Sequence, residues 1–317
     1  MNRILITGGN GFLGQNLALK LKNKYDVFLG SRNNKNNFKA QNNTKCNVLP
    51  LDVSNINSVR DVISEIKPNI VIHAAATKFV DLSEKYPMET VDINVVGSQN
   101  VCRVSIENNV DHVIGISTDK AAPPIRNIYG MSKGLMEKLF CLMNDKSQTK
   151  FSCVRYGNVA WSTGSVLTIW KRMFDETKVI GTTGPEMRRF IFTIDDAVSL
   201  VECAINNKET TSGKILSKKM KSAQMKDVLD AWINHFGGKW EKIDGRPGER
   251  QDEFLIGEAE LPFCEEISLN GESYFLLNQN TKVSNPVKNI FSSANSERLS
   301  EKELLNILTN KPKDIYD

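Results

Sequence analysis

Apolar residues recur along this chain of 317 residues in two alternating rhythms. Short unbroken runs have the length and β-branched content of buried strands. They are "RILIT" (3–7), "YDVFLGS" (25–31), "NVLPLDV" (47–53), "NIVIHAA" (69–75), "VDHVIGIST" (110–118) and "KFSCVRYGNV" (150–159). Between them, apolar residues return every three or four positions, which predicts helices over 11–24, 57–67, 88–109 and 129–144. The second of these ends before Pro68, and in the last Leu135, Leu139 and Met143 stand four apart. Strands alternating with helices predict an α/β, doubly wound parallel sheet. The asparagine-rich stretch "NNKNNFKAQNNTKCN" (33–47) reads as a surface loop. After residue 160 the rhythm loosens. "DDAVSLVECAIN" (195–206) and "SAQMKDVLDAWINHFG" (222–237) keep helical spacing, and beyond about 236 Gly, Pro and short strands predominate. The expected organisation is a domain over 1–160, with parts of 185–205 packing back on it, and a smaller lobe over 161–317.

Composition narrows the function classes. The net charge is only +4, and Lys and Arg are spread along the chain, so no nucleic-acid footprint is present. Cys46, Cys102, Cys141, Cys153, Cys203 and Cys264 show no CxxC spacing, and His73, His112 and His235 show no ligand spacing. No metal is expected, and the cysteines read as buried free thiols. The opening "MNRILITGG" lacks a secretory pattern, and no apolar run reaches membrane-span length. The expectation is a soluble, cytoplasmic protein.

"TGGNGFLG" adds chemistry. It follows the first strand and opens the first helix, with Gly8, Gly11 and Gly14 three apart. In that context glycines let the backbone approach a pyrophosphate seated on the helix N-terminus, with Phe12 and Leu13 in the first turn. The second strand ends at Ser31 and Arg32 with no acidic residue to take a ribose 2′-hydroxyl. A guanidinium there suits a 2′-phosphate, which favours NADP over NAD. Asp52 and Val53 are placed to flank the adenine, although Asp52 also suits the start of the next turn. Ala74, Ala75 and Asn94 complete the expected coenzyme contacts.

"STDKAAPPIRNIYGMSK" (117–133) follows the fifth strand and places Asp119, Lys120, Tyr129 and Lys133 within reach of one site. Tyr129 and Lys133 share a helix face at i and i+4. An ammonium beside a phenol favours the phenolate, which can take a proton from a sugar hydroxyl.

With these motifs in place, the chain resembles the extended short-chain dehydrogenase/reductases and, within them, the UDP-N-acetylglucosamine 4,6-dehydratases of polysaccharide biosynthesis, the soluble 5-inverting members above all. The resemblance rests on "STDKA", "HAAATKFV", "DINVVGSQN", "RYGNV", "GSV", "MRRF", "RPGE" and "SANSERLS", spanning residues 4 to about 307. It implies a Rossmann-type sheet with a smaller C-terminal substrate lobe, tightly bound NADP, and C4 oxidation by Tyr129 and Lys133 with Thr118 beside them. It assigns Lys120 as the C5 base and Asp119 as the acid for the C6 hydroxyl. Those roles need a lowered Lys120 pKa and a raised Asp119 pKa. The implied product is UDP-2-acetamido-2,6-dideoxy-β-L-arabino-hexos-4-ulose. Lys78, Asn158, Ser165, Arg189, Arg246 and Glu249 are the implied substrate contacts. Relatives sharing "GMSKxLMEK" often carry Met where this chain has Tyr129, so their stereochemical outcome carries over less directly to this chain. The same Tyr-Lys pair also suits a UDP-sugar 4-epimerase, and a non-catalytic NADP sensor is the reading from another class. The tryptophans (161, 170, 232 and 240) are expected to pack. Relatives pair through the helices around Tyr129, so a homo-oligomer is expected.

Overall fold

In the computed structural model, which describes residues 1–32, 34–245 and 249–312, strand β1 (Arg3–Thr7) is buried in all but its first residue. It lies inside a nine-stranded sheet built from β2 (Asp26–Ser31), β3 (Asn47–Pro50), β4 (Ile70–His73), β5 (His112–Ile116), β6 (Lys150–Arg155), β7 (Lys214–Lys218), β8 (Cys264–Leu269) and β9 (Glu272–Asn278). The order is β8-β9-β7-β6-β5-β4-β1-β2-β3. Strands β1 to β7 are parallel, and β9 and β8 close one edge antiparallel. The chain leaves β1 toward β2 and crosses back to β4 on the other side. Ligands bind such sheets at the crevice this switch opens beyond the strand ends.

The flanking helices include α1 (Phe12–Leu21), α2 (Asn34–Thr44), α3 (Ile56–Ile66), α4 (Val80–Lys85), α5 (Gly97–Glu107), α6 (Ile128–Asn144), α7 (Val166–Thr177), α8 (Ile194–Asn206), α9 (Met225–Phe236) and α10 (Glu301–Thr309). Helix α8 packs on α1 and on the sheet, while β7, β8 and β9 carry the second half of the chain into the sheet. A separate core gathers Trp161, Trp170, Phe174 and Trp232 with Leu304 and Leu308 of α10. The Trp161 indole donates to the Ile307 carbonyl at 2.7 Å. Helix α10 starts in a capping box between Ser300 and Glu303.

Three local expectations differ from the structure. The asparagine-rich stretch forms α2 instead of a loop. Intrinsic propensity is poor there, but Ala40 and Asn37 are buried and the Lys22 ammonium satisfies the Thr44 carbonyl at the helix end. The helix over 88–109 is broken by a π-helical turn at Val91–Val96. That turn carries Asn94 inward, where it bonds Thr77 N–H, Thr77 O and Ser132 Oγ. In α6 the inward face is Met136, Phe140 and Cys141, whereas Leu135 of the four-spaced set is 52% exposed. All six cysteines are free and buried.

Candidate functional site

A cleft of about 890 Å³ runs from the turn after β1, past the carboxyl ends of β4, β5 and β6, to Arg189 and the start of α9. Gly8, Gly11, Phe12, Leu13, Gly14, Ser31, Arg32, Val53, Ala74 and Ala75 line one end. Thr118, Lys120, Tyr129, Lys133, Lys78, Asn158, Ser165, Arg189 and Glu249 line the remainder.

The glycine turn is made for close approach. Gly8 has φ +67°, and a Cβ there would meet the Ala75 backbone at 2.8 Å. Helix α1 begins at Gly11 with no side-chain cap and no acid in its first turn, so its leading N–H groups face the cleft end unspent. Arg32 is exposed and makes no hydrogen bond or ion pair among the described residues. Lys133 is 3% exposed, and among the described residues its ammonium finds only the Met136 thioether, at 3.4 Å. A buried ammonium so poorly served suits an oxygen-rich ligand such as a ribose. Together these residues fit a dinucleotide.

Two expected coenzyme contacts lie elsewhere. Asp52 caps the next turn through Ser54 N–H and Oγ at 3.0 and 2.7 Å, and Asn94 braces the Thr77 segment. Neither lines the cleft.

The proton-handling cluster sits at the end of β5. Thr118 begins a 3₁₀ turn over Asp119–Ala121, and Asn127 caps α6 through Gly130 N–H at 2.7 Å. Gly130 packs on the Lys120 carbonyl, where a Cβ would come within 2.2 Å. That close approach brings the Tyr129 helix against the Lys120 loop. The Lys120 ammonium donates to Asp119 Oδ1 at 3.0 Å and Asn158 Oδ1 at 3.1 Å, and lies 3.6 Å from Glu253 Oε1.

The electrostatics correct the sequence reading at Lys120. Burial alone would lower its pKa, but the Asp119 and Glu253 carboxylates outweigh it and raise the value. The lysine that drops is Lys133, pushed by burial to about 8. Lys78 is pushed to about 8 by the cleft walls. Burial lifts the Tyr129 phenol to about 12, and the cation opposing that rise is Lys120, not Lys133. Asp119 is fully buried, accepts from Thr118 Oγ1 and Lys120, and does not line the cleft. Its Oδ2 has no hydrogen-bond partner among the described residues.

On the substrate side, Ser165 is the N-cap of α7 yet makes no cap bond, and its buried Oγ has no partner among the described residues. Arg189 reaches the Arg188 carbonyl at 2.8 Å and lies 4.0 Å from Glu253. Glu249 Oε1 accepts from Thr183 Oγ1 at 2.9 Å. Arg246 lies outside the described residues.

Among the cleft residues that escaped the sequence reading, Tyr156 and Glu253 stand nearest the chemistry. Tyr156 is buried within "RYGNV", its phenol pKa raised by burial and by Tyr129. Glu253 sits far along the chain from Lys120, among short strands with no periodic signal.

Comparison with known proteins agrees with this architecture. A family described as "Polysaccharide biosynthesis protein" matches residues 4–269. A UDP-glucose 4-epimerase of Rickettsia bellii is 32% identical, over 97% of this chain and 95% of that protein. A UDP-N-acetylglucosamine 4,6-dehydratase (inverting) of Campylobacter jejuni is 31% identical, over 97% of both chains. The X-ray structure of Pen from Bacillus thuringiensis superposes with a TM-score of 0.88 at 28% identity, over 98% of this chain and 97% of that one. The protein is an extended short-chain dehydrogenase/reductase and belongs to the polysaccharide biosynthesis protein family.

Proposed function

We propose that this protein is a UDP-N-acetylglucosamine 4,6-dehydratase that inverts C5, working with tightly held NADP. The observation that carries the reading is Lys120, lining one cleft with Tyr129 and Lys133 and backed by the buried Asp119 carboxylate behind it. A sugar oxidation alone needs only the Tyr-Lys pair, whereas elimination across C5 and C6 also needs a second base.

The residues divide the work as follows. The glycine turn and α1 hold the pyrophosphate, Lys133 a ribose, and Arg32 the 2′-phosphate that distinguishes NADP. A nicotinamide held by these residues would supply the hydride acceptor for C4 and the hydride donor for C6. Tyr129 takes the C4 hydroxyl proton. With its pKa near 12 it rests protonated beside the Lys120 ammonium, and the positive charge that an oxidised nicotinamide would add favours the phenolate. The C4 ketone acidifies C5–H, and Lys120, stripped of one proton, removes that hydrogen. Asp119, once protonated, passes that proton to the Thr118 hydroxyl, which gives its own to the departing C6 hydroxyl, because the Asp119 carboxyl is shut off from the cleft. Arg189, Arg246 and the α7 N-terminus at Ser165 receive the diphosphate, with Lys78, Asn158 and Glu249 along the sugar and ribose. Reprotonation of C5 on the face away from Lys120 gives the inverted 4-keto sugar.

The Rickettsia relative favours a second reading, a UDP-sugar 4-epimerase acting through Tyr129 and Lys133 alone. Mass spectrometry separates the two. UDP-N-acetylglucosamine loses one water if the dehydratase reading holds and keeps its mass if the chain only epimerises.

The outer face of the 86–91 segment and α6 presents Met88, Val91, Met131 and Leu135, each more than 40% exposed, while the exposed Leu82 and Tyr86 line the cleft. These elements pack together, and the apolar face they form suits a second copy of the chain. No helix among the described residues is long and apolar enough to cross a membrane.

A further inference from the structure

Glu253 is 4% exposed, lines the cleft, and has no assigned role. Its backbone is pinned on both sides of one residue. Glu253 N–H donates to Ser293 Oγ at 3.0 Å, and Ser293 N–H returns to the Glu253 carbonyl at 2.8 Å. The side chain therefore holds its place while the carboxylate meets three cations: Lys120 at 3.6 Å, Arg250 at 3.8 Å and Arg189 at 4.0 Å. Its Oε2 has no hydrogen-bond partner among the described residues.

An ammonium has three protons to place. Lys120 spends two of them on Asp119 Oδ1 and Asn158 Oδ1, and Glu253 Oε1 pairs with its charge at 3.6 Å without a hydrogen bond. A neutral amine keeps two N–H donors, enough for both hydrogen bonds, and a lone pair in place of the third proton. The contact that loses its charge partner is the Glu253 ion pair. Of the two carboxylates, Glu253 lines the cleft and Asp119 does not.

We propose that Glu253 is a positioning residue for Lys120: its carboxylate pairs with the ammonium from the cleft wall, holds that charge at rest, and sets the pH at which Lys120 frees its lone pair for substrate. The inference rests on Lys120 acting as the C5 base. No bond to substrate is asked of Glu253. The proton that leaves Lys120 passes to water, and the C5 proton then replaces it on the amine.

Three charged groups act on the Lys120 charge, with Asp119 and Glu253 favouring it and Arg189 opposing it, and the neutral Tyr129 phenol lies beside it. Replacing the Glu253 carboxylate with an amide removes one favourable charge. Lys120 then loses its proton at lower pH, and the acid limb of C5 exchange moves the same way.

The test compares wild type and Glu253→Gln with UDP-N-acetylglucosamine in deuterated water across pH, reading deuterium at C5. Lys120 itself is followed by side-chain ¹⁵N NMR in the same proteins. The expected shift is about one pH unit downward in both, a roughly tenfold rise in the low-pH rate relative to the high-pH rate. If wild type exchanges C5 but Glu253→Gln loses rate equally at every pH with Lys120 unmoved, Glu253 is merely structural and the proposal is overturned. If Lys120 shifts but wild type never exchanges C5, the Glu253–Lys120 coupling stands and the dehydratase reading falls. Should Glu253→Gln not fold, Glu253→Asp draws the carboxylate back and shifts Lys120 the same way by less. An unmoved Lys120 there overturns the proposal too.

Discussion

Arg155 on β6 is 1% exposed and spends all five of its N–H donors on protein. Two go to Glu137 of α6 at 2.9 and 2.7 Å, two to Glu260 at 3.0 and 2.8 Å, and Nη1 also reaches the Leu255 carbonyl at 3.0 Å. The guanidinium thus ties the Tyr129 helix to the segment that carries Glu253. Arg155→Met leaves two buried carboxylates without their cation. Removing one partner of a buried pair costs about 3–5 kcal/mol, and here one cation serves two anions, so we expect about 5 kcal/mol. The triple variant Arg155→Met, Glu137→Gln, Glu260→Gln removes the stranded charges as well. It should recover at least half of that loss, because an ion cluster replaced by neutral groups of similar size is often close to neutral. Equilibrium urea unfolding measures both, read as the midpoint at constant slope. A triple variant as unstable as Arg155→Met would refute the reasoning, since the loss would then come from packing and not from uncompensated charge.

Other predictions follow from single residues. Lys133 has its folded pKa lowered from 10.5 to about 8. Its burial therefore penalises the coenzyme-free protein fully below about 8, and the penalty fades as pH rises toward the unfolded value. Lys133→Met should raise coenzyme-free stability at neutral pH by up to about 3 kcal/mol and flatten the gain between pH 8 and 10.5; thermal melts across pH check this, and equal slopes in both proteins would contradict it. Arg32→Ala should weaken NADP binding about tenfold or more and leave NAD nearly unchanged, as titration calorimetry would show. Met131→Asp with Leu135→Asp should yield a smaller species in sedimentation velocity without loss of folding. Lys120→Met should stop C5 exchange while a reduced coenzyme signal still forms from C4 oxidation.

Much of the parallel sheet was legible because its strands are continuous apolar runs, as strands buried on both faces must be. The glycine turn was legible because Gly8 needs its positive φ and its close approach to Ala75. Other features depend on distant partners. Helix α2 has little helical propensity of its own and is held by contacts at Ala40 and Thr44. The π-helical turn at 91–96 exists for the bonds of Asn94, which no local pattern announces. At the site, adjacency in sequence misled. Asp119 and Lys120 are neighbours, yet only Lys120 lines the cleft, and the carboxylate facing it from the cleft wall is Glu253. The expected fall in the Lys120 pKa failed for the same reason, since the second carboxylate comes from a remote segment.

The central claim is elimination across C5 and C6 at the Asp119-Lys120-Tyr129 cluster. A proton NMR time course of the purified protein with UDP-N-acetylglucosamine in deuterated water, without added coenzyme, tests it most directly. The account predicts a new C6 methyl signal, deuterium at C5, and ring couplings that report an inverted centre. A C4 epimer alone, with C5 and C6 untouched, would contradict it.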